Sequence, residues 1–306
     1  MAFPTETVYG LGADAGNPDA VKKIFAAKGR PQDHPLIVHI ADMAQMANWA
    51  RNIPPSARRL ARNFWPGPLT IILQRGPGVS DLVTGGQDTV GLRVPSHPVA
   101  QALLRAFDGG IAAPSANRFG RVSATTAEHV RREFGNVIDL VLDGGASAVG
   151  IESTIVDLSG RQATLLRPGW ITAEQLEEAL GMPLASPDSR SPRAPGALAR
   201  HYAPRTRLML LETDLLLELA ASLTRQGKRV AVLAHSVLRP ILPDITWIVA
   251  PRDVSSYAHD LYANLRRLDD AGCDAILVEA PPQEAPWSAV ADRLTRAATG
   301  VGESLS

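Results

Sequence analysis

Two short stretches carry residue types suited to holding an anion. Lys28-Gly29-Arg30-Pro31 places two cations around a glycine, where a ligand can approach the backbone closely. Lysine supplies a compact charge and arginine a planar fork for phosphate or carboxylate. Pro114-Ser115-Ala116-Asn117 adds a hydroxyl and an amide after a short apolar run. Two further arginines sit in apolar surroundings, Arg93 in Gly91-Leu92-Arg93-Val94-Pro95 and Arg167 in Leu165-Leu166-Arg167-Pro168-Gly169. A charge in such a run must be paired or face a cleft. Ser153-Thr154 follows a stretch holding Gly144, Gly145 and Gly150. Each feature also has a plainer account: a solvated helix end whose cations answer the dipole, a satisfied ion pair, ordinary turn chemistry. Jointly, these cations and hydroxyls suggest a polyanionic ligand with polar handles, such as a nucleoside triphosphate beside a small polar substrate.

The sequence has no Walker-type loop, no third glycine completing a dinucleotide fingerprint after Gly10-Leu11-Gly12, and no Gly-x-Ser-x-Gly elbow. His34 and His39 are poorly spaced for a metal, and carboxylates in these loops are few: Glu6, Asp14 and Glu152. This favours Mg2+ arriving with the nucleotide over a cage of protein ligands.

The elements that must position these residues follow an α/β pattern. Asn17-Pro18-Asp19 starts a helix with a cap, a first-position proline and an acid at the positive end of the dipole. Val21, Ile24, Phe25 and Lys28 share one face, and Gly29 with Pro31 stops it. Leu36–Ile40 is almost wholly apolar, as in a sheet covered on both faces. Helices are expected near Asp42–Ala50, Ser56–Phe64, Pro98–Phe107, Thr126–Phe134 and Thr172–Leu180, the last with a capping box between Thr172 and Gln175. Strands are expected at Leu69–Leu73, Val90–Val94, Ile111–Ala113, Ile138–Leu142, Ser153–Leu158 and Thr164–Leu166. Pro183–Arg205 is rich in proline and arginine, lacks periodicity, and reads as a linker. Beyond it, strands Arg207–Leu211, Arg229–Ala234, Thr246–Val249 and Ala275–Glu279 alternate with helices Asp214–Arg225, Val254–Ala271 and Ser288–Ala298. Such alternation suggests a small, mostly parallel sheet. The expected division is therefore 1–182, a linker at 183–205, and 206–306.

Composition bounds this reading. The chain of 306 residues suffices for about two domains, and its 45% hydrophobic content supplies a core. Lys plus Arg and Asp plus Glu are 31 each, so no general attraction to nucleic acid or membrane is expected and any basic surface is local. Cys273 stands alone, which excludes an internal disulfide and fits a reducing cytoplasm. No apolar run reaches transmembrane length, and the first residues lack the features of a signal peptide.

The motifs in order resemble a known family. Pro4-Thr5-Glu6-Thr7-Val8-Tyr9-Gly10-Leu11-Gly12, Lys28-Gly29-Arg30-Pro31 before Pro35-Leu36, Pro66-Gly67-Pro68-Leu69-Thr70, Arg93-Val94-Pro95 and Pro114-Ser115-Ala116-Asn117 are similar to the YrdC-like threonylcarbamoyl-AMP synthases. Pro195-Gly196 followed by Arg200-His201-Tyr202-Ala203-Pro204, and the tail Ala289 with Asp292-Arg293-Leu294, resemble the two-domain form. The resemblance implies a twisted mixed α/β sheet with a concave basic face, plus a smaller Rossmann-like α/β domain. It implies that L-threonine, bicarbonate and ATP give threonylcarbamoyl-adenylate and pyrophosphate, for transfer by a separate transferase complex to an adenosine beside the anticodon of tRNA. By the same resemblance Thr7, His39, Arg93, Ala113 and Ser153 hold threonine. Arg30, His34, Thr89, Ser115, Ser123, Arg167 and Tyr202 hold ATP, while Lys28 and Asn117 complete the family's Lys-x-Arg and Ser-x-Asn signature with Arg30 and Ser115. A noncatalytic module binding double-stranded RNA on the same face is the competing expectation. His34 stands where the family often has Asn. Met1 falls almost at the Phe-Pro-Thr-Glu-Thr stretch, before which the family carries a helix and most of a strand; the expectation is a start placed too far downstream or a truncated chain, and intact-mass measurement of natively expressed protein decides it.

Overall fold

The computed structural model describes residues 1–196, 201–241 and 245–298. By compactness the chain divides into Met1–Phe119 with Ala124–Ala197, and Gly120–Ser123 with Leu198–Ser306. Of the expected linker at 183–205, Ala185 pairs with Thr164 of the first unit, residues 201–205 fall in the second, and 197–200 lie outside the described residues.

Helix Pro18–Lys28 forms as its ends dictate. The Asn17 side chain accepts from the Asp19 and Ala20 amides at 3.0 and 3.2 Å, Pro18 holds the first turn, and Gly29 closes the helix at φ 62°. That left-handed conformation suits glycine and costs other residues about 1–2 kcal/mol. The helix buries Val21, Ile24, Phe25 and, at its end, Lys28.

Strands β1 (Ala2–Phe3) and β2 (Gly10–Leu11) pair antiparallel. Next come β3 (Ala13–Asp14), β4 (Ile37–His39), β5 (Leu69–Gln74), β6 (Thr89–Arg93), β7 (Ile111–Ala112), β8 (Thr154–Asp157) and β9 (Thr164–Arg167). Among the described residues these form one mixed sheet in the order β3-β7-β4-β6-β5-β8-β9, parallel at β4–β6 and β5–β8 and antiparallel elsewhere. Strand alternation feeds two layers. Val38, Ile71, Leu92 and Val156 enter the main core with helix residues such as Val21, Leu60 and Leu176. Ile37, Ile72 and Ile155 point to the other face and pack with Ala194. The near-continuous apolar runs are thus explained, because both faces of the sheet are covered.

Ile138–Leu142 does not form the expected strand. Only Val141 bridges, to Ala2, with the Ala2 amide donating to the Leu140 carbonyl and the Leu142 amide to that of Ala2. Leu140 is half exposed, while Ile138, Val141 and Leu142 pack on the core edges without forming a ladder. Asp42–Ala50 is likewise broken: Asp42 caps a 3-10 turn at Met43–Gln45, and only Met46–Trp49 is α-helical.

The second unit carries β10 (Leu208–Leu211), β11 (Val230–Ala234), β12 (Ile245–Val249) and β13 (Ala275–Glu279). They form an all-parallel sheet ordered β10-β13-β11-β12, with helices Thr213–Arg225, Val254–Asp269 and Ser288–Ala298. The segment Gly120–Ser123 belongs to this unit. The Ala203 amide donates to the Gly120 carbonyl at 2.9 Å, and the Arg266 guanidinium donates to the carbonyls of Val122 at 2.5 Å and Ser123 at 3.3 Å.

Candidate active site

The two stretches singled out by composition meet. The Lys28 ammonium is buried and donates to the carbonyls of Ser115, at 2.6 Å, and Asn117. The Phe119 amide returns a hydrogen bond to the Lys28 carbonyl at 2.9 Å. On its other side the Ser115 turn is zipped to the Thr-rich loop: the Leu11 amide donates to Pro114 and the Ala116 amide to Tyr9, at 2.8 and 2.7 Å. Burial drives the Lys28 pKa well below its ordinary value, and the nearby Arg30 guanidinium adds to that. The Lys28 donors hold the turn that presents Ser115 and Asn117. Asn117 is itself buried, and its side-chain amide donates to the Arg118 carbonyl at 2.8 Å.

Arg93 ends β6 directly beside His39 of the parallel strand β4. Its guanidinium is buried, and each nitrogen has a protein partner. Nε donates to the Gly67 carbonyl at 3.3 Å, Nη1 to the Thr7 hydroxyl at 2.7 Å, and Nη2 pairs with Glu6 Oε1 at 2.7 Å. Thr5 Oγ1 donates to the Val8 carbonyl at 2.6 Å and lies 2.9 Å from Thr7 Oγ1. The proton order follows: Arg93 donates to Thr7, Thr7 to Thr5, Thr5 to Val8. The Nη2–Glu6 contact is an ion pair outside hydrogen-bond alignment, and each terminal guanidinium nitrogen carries two N–H groups. Sequence reasoning named Arg93 and Thr7 but missed Glu6 as their partner. The signal was present, since a buried arginine needs a carboxylate and Glu6 is next to Thr7.

His39 is buried, edge-on to Phe3 at 5.9 Å, and its Nδ1 has no hydrogen-bond partner. Burial, and then the Arg93 charge, lowers its pKa to about 3, so the ring is neutral. Ala113 is buried beside β4, its amide donating to the Ile37 carbonyl at 2.9 Å.

A second group gathers around Arg167, at the end of β9. Its Nε and Nη2 donate to the Ser153 carbonyl at 3.1 and 2.9 Å, Nη2 also reaches Ser153 Oγ at 3.1 Å, and Nη1 donates to the Pro195 carbonyl at 2.8 Å. Ser153 Oγ lies 2.8 Å from Thr70 Oγ1. The turn Arg167-Pro168-Gly169 can pack this closely because residue 169 lacks a side chain: a Cβ there would stand 2.3 Å from the Thr154 amide nitrogen. Thr89, half-buried at the start of β6, lines a crevice with Thr70, Gly91, Arg193 and Pro195. Arg193 fastens that cover: its Nη2 donates to the Gly85 carbonyl and its amide to Gln87 Oε1, both at 2.7 Å.

Arg30 is buried after Gly29, donates through Nη2 to the Pro35 carbonyl at 3.0 Å, and stands 5.8 Å from the Phe119 ring centroid. His34 is edge-on to the same ring at 5.2 Å, and burial followed by the Arg30 charge lowers its pKa. Ser123 and Tyr202 belong to the second unit. Tyr202 is buried there with φ 61°, stacked on Tyr262 at 5.8 Å and capped by the Arg293 guanidinium at 5.2 Å. Arg293, a member of the tail motif, is wholly buried and also pairs with Asp292 at 2.6 Å.

Residues 1–169 match the Sua5/YciO/YrdC family, described as "Telomere recombination", and residues 171–299 match "Threonylcarbamoyl-AMP synthase, C-terminal domain". The threonylcarbamoyl-AMP synthase of Pyrococcus abyssi is 40% identical over 97% of this chain and 89% of its own length. That of Bacillus subtilis is 42% identical over 98% and 89%. The crystal structure of P. abyssi Sua5 complexed with L-threonine matches with a TM-score of 0.90, covering 97% of this chain and 89% of that one. The chain belongs to the Sua5/YciO/YrdC family of threonylcarbamoyl-AMP synthases, in its two-domain form.

Proposed function

We propose that the first unit joins L-threonine, bicarbonate and ATP into threonylcarbamoyl-adenylate with release of pyrophosphate. The observation that carries this is the buried Arg93 guanidinium, contacted by protein at every nitrogen, beside a hydroxyl chain and a neutral histidine. The Arg93 guanidinium takes the threonine carboxylate, with Thr7, His39, the Ala113 carbonyl and Ser153 around the rest of the amino acid. Arg30, His34, Thr89, Ser115 and Arg167 of this unit take ATP. The threonine amine condenses with bicarbonate, losing water, to a carbamate that offers a carboxylate oxygen. That oxygen forms a bond to the α-phosphorus as the bond to the pyrophosphate oxygen breaks. No side-chain nucleophile is needed, so the protein contributes position and positive charge at the phosphates. Mg2+ carried on the ATP phosphates would supply charge neutralisation there.

The product serves threonylcarbamoyladenosine formation next to the tRNA anticodon through a separate transferase complex in the cytoplasm; among the described residues no helix is long and apolar enough to cross a membrane. A noncatalytic RNA-binding surface built on the same cations is disfavoured, because Lys28, Arg30, Arg93 and Arg167 are all buried. The test is pyrophosphate release. It should require threonine, bicarbonate and ATP together; release without threonine, or none with all three present, overturns the reading.

A further inference from the structure

We propose that Glu6 is a positioning residue for the amino-acid end of the site, fixing the Arg93 guanidinium and keeping polyphosphate off it. This rests on the reading that Arg93 takes the threonine carboxylate.

The geometry is that of a two-point clamp. Glu6 is buried; one carboxylate oxygen meets Arg93 Nη2 at 2.7 Å, and the other accepts the Ser96 amide at 3.0 Å. Ser96 lies just past the end of β6, so the strand that carries the guanidinium also orients the carboxylate opposing it. The Glu6 backbone is anchored separately: its carbonyl accepts the Val149 amide at 2.7 Å. Thr7 and the Gly67 carbonyl take the remaining edges of Arg93. Contacts at all three nitrogens therefore restrain the fork in plane and in rotation.

Charge adds a second effect. The first unit buries four cations, Lys28, Arg30, Arg93 and Arg167, while ATP is a polyanion and threonine carries a carboxylate. An unpaired Arg93 would bind a phosphate as readily as a carboxylate. With Glu6 attached, the pair is close to neutral. A single carboxylate can still use the guanidinium N–H groups, whereas a highly charged triphosphate meets the Glu6 charge at short range. Glu6 thus separates two anionic ligands that the cations alone would not distinguish.

The experiment uses the full chain with Glu6→Gln and Glu6→Asp, read by pyrophosphate release and by calorimetric threonine binding without ATP. Glu6→Gln should raise the threonine KM and Kd by about tenfold or more while kcat at saturating threonine stays within about threefold. ATP or pyrophosphate should become competitive against threonine in Glu6→Gln and not in the wild type. Glu6→Asp keeps the charge and should recover most of the discrimination, which also covers the case in which Glu6→Gln fails to fold. A folded Glu6→Gln with unchanged threonine affinity, or with no new competition by polyphosphate, overturns the proposal. A wild type that binds threonine yet releases no pyrophosphate refutes the reaction instead, and the binding comparison still judges Glu6.

Discussion

Replacing His39 with a residue that cannot titrate should remove a defined part of the acid sensitivity of the first unit. His39 has a folded pKa of about 3 against an ordinary 6.5, through burial and the neighbouring Arg93. Above pH 6.5 the ring is neutral in both folded and unfolded chains, and its contribution is complete. As pH falls from there the unfolded chain takes up the proton and the folded chain does not, so stability declines until pH reaches about 3. The loss is about 1.4 kcal/mol at pH about 5.5 and about 2.6 kcal/mol at pH about 4.5, relative to pH about 7.5. Other groups titrate here too, so the quantity to read is the wild-type value minus that of His39→Gln, in which they cancel. Urea unfolding of both chains, analysed on the transition that His39→Gln moves at neutral pH, gives this difference. It should shrink by the amounts stated as pH falls. A difference that stays flat from about pH 7.5 to 4.5 refutes the claim that a neutral His39 is locked beside Arg93.

Two further substitutions probe the scaffold of the site. Lys28→Ala leaves the Ser115 and Asn117 carbonyls without the ammonium that joins them, so it should cost about 2–4 kcal/mol in urea unfolding as well as activity; loss of activity with unchanged stability would instead show a direct role at phosphate. Gly169→Ala sets a Cβ 2.3 Å from the Thr154 amide nitrogen, which must push the Arg167 turn away from Ser153, so it should lower the urea midpoint and raise the threonine and ATP KM values together.

Much of the fold was legible because its signals are local. Asn17, Pro18 and Gly29 fix both ends of one helix, Thr172 with Gln175 fixes the start of another, and strand β13 is bounded by its own apolar run. Ile138–Leu142 misled because an apolar run says nothing about whether a partner strand exists, and its neighbour is two residues long. The assignment of Gly120–Ser123 to the second unit carried no sequence signal, since Arg266, which binds its carbonyls, lies far along the chain. In the site, residue types were readable and pairings were not. Arg93 announced that it needed a partner; only folding shows that Glu6 and Thr7 supply it from a loop that β2 and the Ser115 turn hold in place.

That limit has a physical basis that bears on how the site works. A cation at the end of an element looks the same in sequence whether it will touch a ligand or a carbonyl. In a buried site it must be satisfied before any ligand arrives, because an unpaired buried charge costs several kcal/mol. Lys28 and Arg167 meet that demand with carbonyls, and Arg93 with a carboxylate, a hydroxyl and a carbonyl. The same bonds that make these charges tolerable also fix the Ser115 turn, the Ser153 carbonyl and the plane of the Arg93 fork. Little reorganisation is then left for the moment of reaction, which is the condition under which fixed dipoles and charges stabilise a transition state most effectively.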